Sequence, residues 1–285
     1  MKLDQGDTIS PLLFNAALER IFRRLDWQDK GININGRRLS HLRFADDIAL
    51  LSETREELLL LLQELDTEAA RDGLKINEEK TKMMTSEENA GPLQLRGKDI
   101  EVVDQFIYLG RLLSIPMNLK SELNRRIRAG WMVHNKFKKF LTAPRVPMKH
   151  KRKLFNLCIL PAMTYGCEAW TATEADLHQL AVAQRKMERR MAGTTLLHRK
   201  TNEWLRGVTR VVDIVEEARR RKWRYVWNIA QKEDKRKTRA LIDWQPIGRT
   251  RRRGRPRTRW QDDFRSGCDK KNWTSHRISQ LRIGQ

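Results

Sequence analysis

Phe44-Ala45-Asp46-Asp47 sets two adjacent carboxylates between two runs that read as strands. Before it, Leu39, Leu42 and Phe44 are interleaved with arginine and histidine; after it come Ile48-Ala49-Leu50-Leu51. A short turn between such runs predicts a β-hairpin, with aspartate favoured at the bend because it tolerates turn dihedrals. A hairpin tip holds both carboxylates rigidly at a surface. That suits a hard divalent cation, which takes one or two carboxylate oxygens and leaves its other positions to water and substrate phosphates. Taken alone, the same four residues also describe a solvated turn, so their neighbours decide the reading.

Upstream lies Gln5-Gly6-Asp7-Thr8-Ile9-Ser10-Pro11-Leu12-Leu13-Phe14-Asn15. Ser10 is a candidate N-cap and Pro11 fits the first helical position. Phe14, Leu18, Ile21, Phe22 and Leu25 then mark one helical face. Downstream, Thr54-Arg55-Glu56-Glu57 reads as a capping box opening a second helix. Its run Leu58 to Leu62, with Leu65, puts apolar groups nearly all round, which predicts packing against the sheet and a second partner. Gly73 stops that helix; Gly73-Leu74-Lys75-Ile76-Asn77 then reads as a stop followed by a strand, with Lys80-Thr81 beyond. Phe106-Ile107-Tyr108-Leu109-Gly110 reads as an alternating strand.

Each piece has an ordinary explanation, but their order and spacing resemble the palm motifs of reverse transcriptases. The similarity is to the non-LTR (LINE-type) retrotransposon enzymes, the RTE-like group above all, and covers residues 4–114. The resemblance implies that Asp46 and Asp47 belong to the catalytic hairpin and ligate Mg²⁺ or Mn²⁺. Gln5 and Gly6 match the loop that contacts the templating base and incoming nucleotide. Lys80 matches a lysine on the pyrophosphate side, able to stabilise or protonate the leaving group. Phe106, Tyr108, Leu109 and Gly110 match the primer grip. The implied chemistry is in-line attack of a primer 3′-hydroxyl on the α-phosphate of a deoxynucleotide between two metal ions. The implied partners are an RNA template, a DNA primer or target and deoxynucleotides. The family's other catalytic aspartate sits in a strand before the Gln5-Gly6 loop, and Asp4 and Asp7 belong to that loop. The expectation is therefore a C-terminal portion: part of a palm, a thumb and a downstream region, whose catalysis depends on the missing strand.

Charge divides the chain the same way. Residues 1–114 carry 16 Lys and Arg against 21 Asp and Glu, whereas the remaining 171 residues carry 42 against 15. A net of −5 followed by +27 points to a polyanion partner for the C-terminal part, with a boundary near Ile115-Pro116. A helix from Leu119 to Leu141 carries Leu119, Leu123, Ile127 and Trp131 on one side and Arg125, Arg126, Arg128, Lys136, Lys138 and Lys139 over much of the rest. By resemblance this is the thumb (115–145), and its basic face suits a sequence-independent grip on an RNA–DNA duplex.

A helical post-thumb region (146–247) follows, with helices expected at 149–159, 174–192 and 212–232 and Pro161 breaking the first. Leu160 to Trp170 resembles the family's post-thumb segment, with no chemistry evident in it. Residues 248–285 form an arginine-rich arm in which Arg251, Arg252, Arg253, Arg255 and Arg257 would lie along phosphates. Arg253-Gly254-Arg255-Pro256 also resembles an AT-hook core, and a nuclear-localisation reading is equally open.

Cys158, Cys167 and Cys268 are too few and too unevenly spaced for a disulfide framework, and no C-x-x-C pair offers a zinc site. No apolar stretch is long enough to span a membrane, and the implied location is intracellular, nucleus or cytoplasm. The fold expectation is α+β: a partial palm, an antiparallel sheet with packed helices, followed by a mainly helical basic region. Two functions remain open: RNA-directed DNA polymerase, and a non-catalytic nucleic-acid-binding remnant of a truncated element.

Overall fold

The computed structural model describes residues 9–231, 259 and 260, and the chain divides between Phe106 and Ile107 into two compact units. In the first, helical spacing of apolar side chains builds α1 (Ser10–Arg24), which buries Leu18, Ile21 and Phe22. Ser10 does not cap it. Ile9 occupies the cap position with helical dihedrals and no side-chain bond, so Ser10 is already the first helical residue. Pro11 is tolerated because N–H groups of the first turn have no helical partner.

Two short hairpins follow: β1 (Ile32–Ile34) with β2 (Arg37–Leu39), and β3 (His41–Phe44) with β4 (Asp47–Leu50), both antiparallel. The β1–β2 turn places Asn35 (φ 51°) and Gly36 (φ 83°) in the left-handed region, the dihedral pattern of a type I′ turn. Helix α2 (Arg55–Arg71) starts at Thr54, whose hydroxyl accepts the Glu57 N–H at 3.2 Å. Gly73 at φ 74° ends it. Its leucines serve two cores. Leu61 and Leu65 pack with Leu18, Ile21, Phe22 and Trp27; Leu62 packs with Met83, Leu93, Leu95 and Ile100 of the sheet that follows. The second partner that the leucine run demands is therefore α1.

That sheet has the order β5-β7-β6, from β5 (Lys82–Met83), β6 (Leu93–Leu95) and β7 (Lys98–Val102). It corrects the expectation of one antiparallel sheet: the described residues before Gln105 form three small separate sheets, and β5 runs parallel to β7. A second correction concerns residues 74–77, which form no strand. Leu74 and Ile76 still alternate onto the α1–α2 core, so the apolar period is real but no neighbouring strand pairs with it.

The hairpin of β8 (Gln105–Tyr108) and β9 (Arg111–Ser114) leads into the helical unit. The expected thumb helix is two: α3 (Leu119–Lys136), capped by Asn118, then α4 (Lys138–Thr142) after a break at Phe137. Next come α5 (Met148–Leu154), a π-helical turn Phe155–Ile159 and α6 (Leu160–Thr164). Pro161 does not break this helix as the sequence predicts. The wider π turn, in which the Leu160 N–H bonds the Phe155 carbonyl, lets the helix pass a residue that lacks a donor and crowds the preceding turn.

Helix α7 (Glu174–Met191) opens with a reciprocal capping box between Thr173 and Asp176. Helices α8 (Asn202–Thr209) and α9 (Ile214–Gln231) complete the described unit. The core gathers Leu123, Leu141, Phe155, Ile159, Met163, Trp170, Leu180, Met187 and Ile214.

Candidate active site

The β3–β4 hairpin carries one aspartate on its two-residue loop and the other at the start of β4. Phe44 pairs with Asp47, leaving Ala45 and Asp46 at the tip. Of these two, only Ala45 takes a positive φ (51°), the signature of a type II′ turn. Asp46 and Asp47 are both exposed, and neither has an ion-pair partner among the described residues.

The hairpin is seated by its less apolar face. The His41 ring stacks 4.5 Å from Phe22 and meets Trp27 edge-on at 5.5 Å. The Arg43 guanidinium lies 4.3 Å over Phe22 and pairs with Glu19 at 3.1 Å. Ile48 and Leu50 share that face and join the helical core, while Leu42 and Phe44 point outward with Asp47. Phe44 is 64% exposed.

Among the described residues no cluster of three or more His, Cys, Asp or Glu side chains is gathered. The donors at the tip are two carboxylates. These fit Mg²⁺ or Mn²⁺, which take one or two carboxylates together with substrate phosphates.

Lys80 stands exposed on a turn built by Asn77, a residue the sequence reading left without a role. The Asn77 side chain accepts the Lys80 N–H at 3.1 Å, and its carbonyl accepts the Thr81 N–H and hydroxyl at 3.0 and 2.7 Å. Gln5 and Gly6 lie outside the described residues.

In the β8–β9 hairpin, Phe106 and Tyr108 are half-buried, and Leu109 and Gly110 form the exposed turn. Below it, Glu122 is buried on α3. Burial alone would raise its carboxyl, but bonds from Arg125, the Leu112 N–H and Arg126 hold it below the usual carboxylate range.

The basic residues of α3 and α4 thus fall into two sets. Arg128, Lys136, Lys138 and Lys139 are exposed. Arg126 is only 7% exposed and, with Arg125, is committed to Glu122 and the Gly110 carbonyl, which corrects the expectation of a free phosphate-binding pair. Other cations of this unit are also structural. Buried Lys151 donates to the Met191 carbonyl at 3.1 Å, Lys222 to the Trp170 carbonyl at 2.9 Å, and Arg185 pairs with Glu188 and Asp213. Part of the positive excess is therefore internal.

Arg251, Arg252, Arg253, Arg255 and Arg257 lie outside the described residues, but Trp260, at the end of that run, does not. Its indole N–H donates to the Glu168 carbonyl at 2.7 Å, the Lys222 ammonium lies 5.1 Å over its ring, and Tyr225 meets it edge-on. Cys167 is a buried free thiol pushed up to about 12, chiefly by burial; Cys158 is half-buried and also free. Cys268 lies outside the described residues. No helix among the described residues is long and apolar enough to cross a membrane.

Residues 2–113 match the family described as reverse transcriptase (RNA-dependent DNA polymerase). The chain is 34% identical over 244 residues to a transposon-derived protein of Caenorhabditis elegans, covering 82% of this chain and 87% of that one. It is 39% identical over 72 residues to the retrovirus-related Pol polyprotein from type-1 retrotransposable element R2 of Nasonia vitripennis. It is 37% identical over 76 residues to the corresponding polyprotein from type-2 retrotransposable element R2DM of Drosophila melanogaster. Those two matches cover 25% and 27% of this chain and 7% of each polyprotein.

Proposed function

This chain belongs to the transposon-derived reverse transcriptase family, and we propose that it serves RNA-directed DNA synthesis with Asp46 and Asp47 as its metal-ligating pair. The observation that carries this reading is the tip of β3–β4: two adjacent exposed carboxylates, one in the two-residue turn and one opening β4, on a hairpin fixed from behind by the stacking of His41 and Arg43 on α1. Asp46 and Asp47 would hold a divalent metal there, and the metal would supply charge neutralisation for phosphoryl transfer.

The residues of the chain then divide the work. Asp46 and Asp47 present carboxylate oxygens. Lys80, held out by the Asn77 turn, neutralises charge on a departing pyrophosphate. The Leu109–Gly110 turn seats the primer 3′ end. Arg128, Lys136, Lys138 and Lys139 grip the backbone of an RNA–DNA duplex without reading its sequence. The partners are an RNA template, a DNA primer and deoxynucleotides.

The exposed cations Arg128, Lys136, Lys138 and Lys139 favour a second reading as well: binding of hybrid duplexes without catalysis. Mn²⁺ binding followed by electron paramagnetic resonance, with a primer–template and deoxynucleotide present, separates the two. The polymerase reading expects Mn²⁺ uptake that Asp46→Asn and Asp47→Asn abolish while hybrid binding persists. Hybrid binding with no tip-dependent Mn²⁺ leaves the second reading standing. Failure to bind hybrid at all overturns both.

A further inference from the structure

The turn between β8 and β9 is strained. Leu109 (φ 47°) and Gly110 (φ 73°) both lie in the left-handed region, the dihedral pattern of a type I′ turn. Glycine adopts it freely, but leucine does not, and such a conformation persists only where its surroundings over-determine it. Here they do. The Tyr165 hydroxyl donates to the Leu109 carbonyl at 3.1 Å. Arg125 and Arg126 donate to the Gly110 carbonyl. Glu122 orients both guanidiniums and accepts the Leu112 N–H at 3.0 Å, just beyond the turn.

The parts also touch one another. The Arg126 guanidinium lies 4.5 Å over the Tyr165 ring, and a Cβ on Gly110 would stand 3.1 Å from Tyr165 Cε1. Tyr165 is half exposed, so its hydroxyl is not one that burial forces to find a partner. It ends α6, in the Leu160–Trp170 segment whose sequence offers no chemistry of its own.

We propose that Tyr165 and Arg126 are positioning residues that lock the Leu109–Gly110 turn in its left-handed form and so fix the seat of a nucleic-acid 3′ end. The proposal rests on reading β8–β9 as the primer grip. Both carbonyls of the turn are held by α3 and the end of α6, while Leu109 and Gly110 themselves stay exposed, as a seat for a sugar–phosphate terminus requires. Loss of the Tyr165 hydroxyl frees the Leu109 carbonyl and lets the turn relax among other conformations. The exposed cations of α3 and α4 are untouched by that change, so grip on the body of a duplex stays the same.

The test uses the full chain and its Tyr165→Phe variant, which removes one oxygen from a half-exposed ring. Hydrogen exchange at the amides of residues 109–112 reads the lock directly, without nucleic acid. Exchange about fivefold faster in the variant, the scale of one lost hydrogen bond, is expected; unchanged exchange overturns the lock. Affinity for an RNA–DNA hybrid with a recessed 3′ end is then compared with affinity for the same hybrid closed by loops at both ends. The wild type should prefer the recessed end, and Tyr165→Phe should lose that preference at unchanged affinity for the closed hybrid. A preference that survives the substitution overturns the positioning role. A wild type with no preference overturns the primer-grip reading itself, and the exchange result then stands or falls alone. Gly110→Ala, which drives a Cβ against the same ring, should likewise speed exchange at residues 109–112.

Discussion

Gly130 of α3 faces Met163 of α6 so closely that a Cβ on the glycine would stand 2.8 Å from the methionine Sδ. Met163 is fully buried. Gly130→Ala should therefore destabilise the helical unit by about 1–3 kcal/mol, the usual cost of overpacking. Urea denaturation of the two proteins checks this, and an unchanged midpoint would show that the α3–α6 contact is loose. The double change Gly130→Ala with Met163→Ala should cost less than the sum of the two single changes, because the strained contact is then absent.

Glu122 is the only carboxylate beside two guanidiniums under the Leu109–Gly110 turn among the described residues, and it is 1% exposed. Glu122→Gln leaves Arg126 buried beside a neutral amide. Breaking such a pair from one side costs about 3–5 kcal/mol. The pH dependence has a definite sign: a carboxyl held below its ordinary 4.5 adds stability that is complete above that value. That stability is lost as pH falls through the depressed value. The variant should start less stable and lose less on acidification, and chemical denaturation at several pH values would reveal an equal acid loss in both proteins if the reading is wrong.

Asp46→Ala separates function from folding. The side chain is exposed and makes no ion pair among the described residues, so the substitution should shift stability by less than about 0.5 kcal/mol. The same change should remove all metal-dependent nucleotide incorporation from any polypeptide that contains this chain and synthesises DNA. A thermal melt beside a primer-extension assay distinguishes the outcomes. A large drop in melting temperature would mean that Asp46 is structural.

The proposed grip on hybrid duplexes is testable by its salt dependence. On duplex DNA each phosphate contact contributes about 0.9 to the log–log slope of affinity against salt. Replacing Arg128, Lys136, Lys138 and Lys139 with alanine should flatten the slope by about 3–4 if all four touch phosphates. The arm variant lacking Arg251, Arg252, Arg253, Arg255 and Arg257 should flatten it independently. Arg126→Ala should instead lower stability while leaving the slope alone, since that side chain is spent inside the unit.

The hairpin was legible because aspartates between two apolar runs admit few conformations. The faces of its strands were not. Period-two alternation marks Leu42 and Phe44 as the apolar set, yet His41 and Arg43 turn toward the helices, because two aromatic rings of α1 and its following loop offer them stacking surfaces. Only tertiary packing reveals that. Helix α8 escaped notice because eight residues make about two turns, too short for a period to stand out, although Thr201 caps it through the Trp204 N–H. Pro161 misled for a local reason: the π turn before it is set by packing, not by composition. The role of Tyr165 was beyond reach, since its partner Leu109 lies 56 residues away and neither residue signals the other.

Trp260 makes a position late in the chain part of the helical unit's fabric. Its indole N–H is held by the Glu168 carbonyl 92 residues earlier, Lys222 lies over its ring and Tyr225 meets its edge. A chain cut after Gln231 would therefore lose these contacts together with its arginines, and its loss of stability would accompany any loss of positive charge. Weaker polyanion binding by such a shortened chain would not by itself assign the binding to arginine.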